Sequence, residues 1–304
     1  MTGSSARYNV AVPVPIDISG RPVPFRIGVS HPPPWSGTGP NPPSPTLTHT
    51  HFAVTGMGSP NWALTGCCQE SQWLFLGGIA AFSVVDLVLW RFTIMRPFKL
   101  LAVLVHEMCH AIACWMTCGK VSGMEIGLDE GGVTKYRGGW RSLITPAGYI
   151  GGAFWGAAAV LSCTNLTASY VASCLFLVGL LVALAKARNG IMRFLSLLFI
   201  VILGGSLALA FLHILRIVPL LNLFLGVFLC VFSIYDIYDD TIRRTVAQSD
   251  ASTCSSLYPC LPAKAWGLLW ALVGLFFVGS SVYIGLVLLD ASPADSALWP
   301  SMNV

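Results

Sequence analysis

The chain has 304 residues, of which 55% are hydrophobic and only 10% are charged, whereas soluble domains average roughly 25% charged residues. Its mean hydropathy is +0.72, and its formal net charge of +4 is too small to favour a nucleic-acid partner. The composition therefore excludes an ordinary soluble domain and predicts an all-α polytopic membrane protein embedded in the lipid bilayer.

The first 70 residues differ in composition from the rest of the chain. They are rich in Pro, Gly, Ser and Thr, with runs such as HPPPW and PNPPSPTLTHTH, which are typical of a disordered tail. We therefore divide the chain into a disordered Pro-rich tail (1–70), a transmembrane domain (71–292) and a short C-terminal tail (293–304).

Apolar runs of membrane-spanning length follow the tail. They predict about seven transmembrane helices, at Trp73–Trp90, Phe98–Trp115, Leu143–Cys163, Tyr170–Ala187, Phe194–Ile214, Val218–Tyr238 and Trp266–Leu289. Alternating crossings with a cytosolic N-terminus put most loop Lys and Arg residues in the cytosol, so the positive-inside rule favours that orientation. We expect a multi-pass protein of the endomembranes, in the ER or Golgi, if the organism is eukaryotic.

The second apolar run contains HEMCH, an H-E-x-x-H motif formed by His106, Glu107 and His110. Positions i and i+4 share one face of a helix, so the two imidazoles can bind one zinc ion. Glu107 lies beside them as a candidate general base for a water molecule at that ion. Because ionisable residues are costly inside a bilayer, three of them at this spacing favour a metal site over a metal-free polar cluster.

A catalytic zinc site needs a third protein ligand and one open position. The candidates are His213, near the end of the fifth run, and the carboxylates of SIYDIYDDT at the end of the sixth run. Asp236 is the most deeply placed of these carboxylates, and Asp240 and Asp239 are the alternatives. Since the second and sixth spans are expected to run in the same direction, Asp236 is the favoured third ligand.

Between the second and third runs, residues 116–142 contain GMEIGLDEGGVTKYRGG. Its glycines bracket a short β-prone stretch, Val133–Tyr136, which predicts a small β-hairpin or edge strand, with a plain connecting loop as the alternative. An edge strand beside a metal site can pair with an extended substrate, and Gly132, Val133 and Thr134 are the candidate substrate-binding residues.

The third run carries a stripe of small residues, with Gly148, Gly152 and Gly156 at every fourth position of PAGYIGGAFWGA. Such a stripe lets a neighbouring helix approach closely. We expect it to pack the third helix tightly and to help hold the HEMCH helix in place.

This order of features resembles the site-2 protease family, whose members are zinc intramembrane metalloproteases. The resemblance is closest to a divergent, peptidase-like branch in which HExxH is followed by a G-G-x-T element and an A-G-Y-x-G helix. It covers about residues 75–290, and it leaves out the Pro-rich tail. The chain departs from typical members because it lacks the Asn-Pro-Asp-Gly motif that carries their third-ligand Asp.

The resemblance implies that His106 and His110 bind Zn²⁺, that Glu107 activates water and that a late-span Asp completes the site. It also implies that the substrate is a transmembrane protein, cut near its cytosolic end in regulated intramembrane proteolysis. Two other functions stay open from the sequence: a catalytically inactive scaffold that binds single-span partners, and a transporter whose His and Asp residues bind an ion. The intact Glu107 argues against the first, and the lack of an internal repeat argues against the second.

Overall fold

The computed structural model describes residues 60–239 and 249–291. Nearly all of the predicted N-terminal tail and the whole C-terminal tail lie outside the described residues. In chain order the elements are α1 (Glu70–Leu89), α2 (Arg96–Met116), β1 (Lys120–Ile126), β2 (Gly132–Arg137), α3 (Arg141–Ser162), α4 (Leu166–Lys186), α5 (Gly190–Phe211), α6 (Val218–Tyr238), α7 (Asp250–Leu257) and α8 (Ala263–Ala291). A single 3₁₀ turn, Thr93–Met95, precedes α2.

Seven of the described helices, α1 to α6 and α8, are long and apolar enough to cross a membrane. This confirms the predicted all-α polytopic membrane protein with about seven spans. Local signals mark several helix starts: Asn189 caps α5 by accepting a hydrogen bond from Met192 N at 3.2 Å, and Pro97 occupies the first turn of α2. The eight-residue α7 is the one described helix that no apolar run predicted.

The segment between α2 and α3 forms the predicted β-hairpin. Strands β1 and β2 are antiparallel, with Met124 opposite Thr134, and Gly127 N–H donates to the Gly131 carbonyl at 2.8 Å across the turn. Side chains of β2 alternate between partly buried and exposed. One face of β2 is therefore turned toward the helices and the other away from them.

The hairpin lies along α2. Thr134 contacts Glu107 in the middle of α2, and Glu130, at the hairpin tip, pairs with Lys99 in the first turn of α2 at 3.2 Å. The hairpin therefore runs back from the end of α2 toward its start, which holds β2 against the HEMCH motif.

The glycines of α3 let α6 approach closely. A Cβ on Gly152 would lie 2.7 Å from Ser233 Oγ, and one on Gly156 would lie 2.8 Å from Cys230 Sγ. These pairs show that α3 and α6 run antiparallel. The predicted close packing of the stripe is confirmed, although most of it faces α6, and it is Gly148 that faces the HEMCH helix.

The direction of α2 follows from its contacts with α3. His110 bonds the Ile144 carbonyl at 2.6 Å, whereas His106, one turn earlier in α2, lies against Gly148, one turn later in α3. Helix α2 therefore runs antiparallel to α3 and, as expected, in the same direction as α6. This arrangement brings the HEMCH motif and Asp236 to one cavity.

Helix α1 also runs in the direction of α6. A Cβ on Gly78 would lie 2.9 Å from Leu223, near the start of α6, and the Trp90 ring lies 4.5 Å from the Tyr235 ring, near its end. Because α1 and α2 both run parallel to α6, the first two helices do not alternate in direction.

The expectation that seven alternating spans place the two ends of the bundle on opposite sides is therefore wrong. Gln69 Nε2 donates to Asp290 Oδ1 at 3.0 Å, so the start of α1 and the end of α8 lie at the same end. The reason is the link between α1 and α2. The Phe224 ring contacts both Phe82, in the middle of α1, and Phe98, in the first turn of α2, so the chain returns partway along the bundle before α2 begins.

Candidate metal centre

Helix α2 is enclosed by its neighbours around the HEMCH motif. Residues 100–105, directly before the motif, are all buried. The exposed fractions are 5% for Glu107 and 7% for His110, and His106 is half-buried. Because an unpaired buried polar group is costly, these three side chains need polar partners or a bound ion.

Three donor atoms converge on one point beside α2. The Nε2 atoms of His106 and His110 are 3.1 Å apart. Asp250 Oδ2 lies 3.1 Å from the first nitrogen and 3.0 Å from the second. The third side chain of this cluster thus comes from α7, a helix outside the seven spans.

The imidazole of His110 is held by a hydrogen bond on its other nitrogen. His110 Nδ1 lies 2.6 Å from the Ile144 carbonyl, which can only accept, so Nδ1 carries the proton. A neutral ring then has its free lone pair on Nε2, the nitrogen that points to His106 and Asp250. This is the usual arrangement of a metal-ligating histidine, whose second nitrogen donates to a carbonyl or carboxylate.

Gly148 provides the space that the two imidazoles occupy. A Cβ at this position would lie 2.5 Å from His110 Nε2 and would collide with His106 Nε2. The first glycine of the stripe is therefore required by the centre itself, and the later ones serve the α3–α6 contact.

Asp250 is positioned by the start of α7. Ser249 caps this helix, with its Oγ accepting from Ser252 N at 3.2 Å. Ala251 and Cys254 are buried in a cluster with Tyr149, Ile237 and Trp270. The apolar side of α7 is thus anchored on α3, α6 and α8, and Asp250 is directed toward the histidines.

Burial of the Asp250 carboxyl opposes its ionisation, but when the imidazoles are protonated the positive charge of His110 and hydrogen bonds from both rings outweigh that effect. Together they hold the pKa of this carboxyl well below its usual range. Asp250 therefore presents an anionic oxygen to the centre at neutral pH.

These donors fit a tetrahedral divalent metal ion. In such a site the ligand atoms lie about 2.0–2.2 Å from the ion and so about 3.3–3.5 Å from one another. The separations of 3.0 Å and 3.1 Å require only a slight outward shift of the donors. Two nitrogens and one carboxylate oxygen leave the fourth position open, which is the arrangement of hydrolytic metal centres.

Glu107 lies next to this cluster and is held by strand β2. Ligand atoms of His106, Glu107 and His110 all lie within 4.8 Å of one another. Thr134 Oγ1 lies 2.5 Å from Glu107 Oε2, and a Cβ on Gly132 would lie 2.5 Å from Glu107 Oε1. The carboxyl group of Glu107 thus packs against the face of β2 that Gly132 and Thr134 share.

The centre lines a polar cavity of about 520 Å³, whose walls come from α2, the hairpin, α3, α6 and α7. A second polar cavity of about 410 Å³ lies beside it, and Glu130 and Asp236 line both. The ion pair between Lys99 and Glu130 stands where the two cavities meet. Polar walls of this kind allow water inside a membrane bundle.

The carboxylates that the sequence analysis considered as the third ligand lie at different places in the structure. Among the described residues, Asp250 is the one whose carboxylate contacts both imidazoles. Asp236 lines the same cavity and Asp239 the neighbouring one, and Asp240 lies outside the described residues. The geometry thus favours Asp250 over Asp236, because Asp236 lines the cavity wall whereas Asp250 reaches both histidines.

His213 is placed away from the centre. It is exposed and follows the end of α5, at the end of the bundle where α6 begins. Of the residues predicted to bind substrate, Gly132 and Thr134 face Glu107, whereas the exposed Val133 faces away from it. Substrate binding by these three residues stays a prediction.

Asp250 was not predicted from the sequence, because it lies outside the apolar runs and the candidate carboxylates all lay in or at the end of the sixth run. A signal was present: Ser249 followed by Asp250 is a helix-start pattern, with a capping hydroxyl and an acid in the first turn. A short polar helix after the sixth span could have been predicted from it, although its approach to HEMCH could not.

The fold and the centre thus define an integral multi-pass membrane protein with a buried group of potential metal ligands. The chain matches the model of the Peptidase M50B-like family over residues 79–281, more than half of its length, and it belongs to that family. This confirms the resemblance to the site-2 proteases. No curated protein and no solved structure matches the chain.

Proposed function

We propose that this protein is an intramembrane zinc metalloprotease that hydrolyses peptide bonds of membrane-spanning substrates. The observation that carries the proposal is the convergence of His106, His110 and Asp250 on one point beside Glu107. Family membership supports a peptidase, and this donor set matches the one that catalytic zinc requires.

His106, His110 and Asp250 would hold the ion. When bound, zinc supplies a Lewis acid that polarises a carbonyl group and makes water more acidic. Glu107 is close enough to this point to take a proton from the attacking water and to return it to the leaving nitrogen. His110 keeps its orientation throughout, because the Ile144 carbonyl holds its Nδ1–H.

Strand β2 is the element best placed to receive a substrate. In the described part of the chain the sheet has two strands, so β2 has β1 on one side only. An extended peptide paired with the other edge would lie beside Glu107, because Gly132 and Thr134 already contact that residue. We propose that a substrate helix unwinds locally and pairs there before it is cut.

Metal removal tests the proposed activity. We expect the purified protein in liposomes to cleave single-span peptides from a panel of differing sequence, to lose this activity on treatment with 1,10-phenanthroline and to regain it when Zn²⁺ is returned. Mass spectrometry of the fragments would place the cuts. A well-folded protein that contains no zinc and cleaves none of the panel would instead favour a non-catalytic scaffold.

The orientation of the bundle follows from the distribution of its cations. Among the described residues, Arg216 is the one Lys or Arg at the end where α1 begins and α8 ends. The others lie at the end of the metal centre or line its cavities: Arg91, Arg96, Lys99, Lys120, Lys135, Arg137, Arg141, Lys186, Arg188, Arg193 and Lys264. Cytosolic segments of membrane proteins are enriched in these residues.

We infer that the metal centre lies toward the cytosolic face and that α1 begins on the opposite side of the membrane. This replaces the cytosolic N-terminus expected from the sequence. That expectation required α1 and α2 to run in opposite directions, whereas they run in the same direction. The alternating arrangement placed the basic segment 91–99 outside the cytosol. In the inferred orientation this segment lies on the side of the metal centre, as the other cations do.

Cysteine labelling in sealed vesicles of known orientation tests this inference. Two full-length variants would each keep a single water-accessible cysteine: one retains Cys118, which is exposed at the end of α2, and the other carries Arg216→Cys. We expect a membrane-impermeant maleimide to label Arg216→Cys from the non-cytosolic side and Cys118 from the cytosolic side. The reverse pattern would invert the orientation, and labelling of both from one side would contradict the helix directions.

A further inference from the structure

The hydroxyl group of Thr134 contacts two oxygens of one residue. Thr134 Oγ1 lies 2.5 Å from Glu107 Oε2 and 3.0 Å from the Glu107 backbone oxygen. Both contacts are partly buried, and they join the strand that faces the cavity to the residue that would move the proton.

A hydroxyl group has one proton to donate and two lone pairs with which to accept. When Glu107 is ionised, Thr134 donates to Oε2, and this hydrogen bond is of the strong, charge-assisted kind. A proton taken from water then resides on the other oxygen, Oε1, where it can be passed on to a leaving nitrogen. Oε2 has no proton in that state and still accepts the hydrogen bond from Thr134 Oγ1.

We propose that Thr134 is a positioning residue that holds the Glu107 carboxyl group in one orientation in both of its protonation states. This inference rests on the proposed role of Glu107 as the proton carrier. The same carboxyl group must accept a proton from water and then deliver it to a leaving nitrogen. A hydroxyl group that donates to Oε2 in both states keeps the carboxyl group from rotating away between the two steps.

The neighbouring residue in the same face of β2 supports this role. Gly132 lacks a Cβ, which would overlap the Glu107 side chain at distances of 2.5 Å to 2.8 Å. The carboxyl group is therefore confined at Oε1 by the backbone of β2 and held at Oε2 by Thr134. Thr134 thereby couples the strand proposed to pair with substrate to the catalytic Glu107.

Replacement of the hydroxyl group tests the proposal. Thr134→Val keeps the shape of the side chain and removes the hydroxyl, and we expect kcat to fall by about tenfold to a hundredfold, since a well-placed general base contributes about 10²–10⁴ in rate. We expect KM and zinc content to stay near those of the wild type. Thr134→Ser should restore most of the lost kcat, because it returns the hydroxyl group.

Thr164→Val is the matched control, because it makes the same chemical change at a hydroxyl group outside the cavity, where Thr164 Oγ1 donates to the Leu161 carbonyl at 2.9 Å. We expect its kcat to stay within about twofold of the wild type. A Thr134→Val variant with wild-type kcat would overturn the proposal. So would one that loses zinc and is not restored by Thr134→Ser, because that result indicates a purely structural role.

A second readout is independent of turnover. Subtraction of the infrared spectrum of Glu107→Gln from that of the wild type isolates the band of the Glu107 carboxylate stretch. We expect this band to shift and broaden in Thr134→Val and to keep its position in Thr134→Ser. An unchanged band in Thr134→Val would refute the hydrogen bond even in a protein that cleaves nothing. A shifted band without any proteolysis would retain the Thr134 contact and reject the protease function.

Discussion

Replacement of Glu107 with Gln is expected to lower the turnover of single-span substrates by at least about a hundredfold, since general acid–base catalysis contributes about 10²–10⁴ in rate. The amide keeps the size of the side chain and its contact with Thr134, but it cannot take a proton from water. Because the three converging donor atoms belong to His106, His110 and Asp250, zinc should remain bound in this variant. The measurements are single-turnover cleavage in liposomes and zinc content per chain.

Glu125→Gln provides the matched control for this substitution. Glu125 lies on β1, and its Oε1 pairs with Lys135 Nζ at 2.6 Å on the exposed side of the hairpin. The same loss of charge there removes a surface ion pair, which contributes at most about 1 kcal/mol to stability, and it leaves the cavity intact. We expect normal turnover. Undiminished turnover in Glu107→Gln would remove Glu107 from the mechanism, and zinc loss in that variant would assign it a structural part in the centre.

The parts of the fold that could be predicted are those fixed by local sequence. Long apolar runs have few alternatives to a spanning helix. All seven spans, α1 to α6 and α8, therefore lie close to their predicted positions. The HEMCH motif specifies its own geometry, because two histidines four residues apart on a helix must share a face. Glycines around a β-prone stretch favoured a hairpin or edge strand but left a plain loop as the alternative, and the structure shows the hairpin.

The direction of α1 could not be predicted, because hydropathy gives the length of a span and not its sense. The counting of loop charges assumed that consecutive spans alternate. The link between α1 and α2 instead returns partway along the bundle, as the contacts of Phe224 with Phe82 and Phe98 show. Only tertiary contacts carry this information.

The third side chain at the centre was missed for a related physical reason. Inside a bilayer a carboxylate is costly, so an intramembrane Asp was the natural candidate for a metal ligand. Asp250 avoids part of that cost, since it lies at the start of a short polar helix that folds back over the end of the bundle. The distance in sequence between Asp250 and His106 leaves no local pattern that could have joined them.

We expect the Asp250→Ala variant to bind zinc at least about a hundredfold more weakly than the Asp236→Ala variant. Loss of an indirect partner of a metal site changes affinity by about 10–100-fold, and loss of a direct ligand should cost more. Asp250→Ala removes the oxygen that lies 3.0 Å and 3.1 Å from the two imidazole nitrogens. Asp236→Ala alters a wall that two cavities share. We therefore expect Asp250→Ala to lose zinc as His106→Ala does, and Asp236→Ala to keep it.

Competition with a chelator of known affinity measures this difference, and thermal unfolding of each variant shows whether the bundle is intact. Asp250→Glu separates ligand loss from misfolding, because it keeps a carboxylate at the start of α7 and should retain zinc with reduced affinity. Zinc loss in Asp236→Ala with retention in Asp250→Ala would return the third-ligand role to the sixth span. Retention in both would leave the histidines as the only essential ligands, and the contact of Asp250 would then serve to orient them.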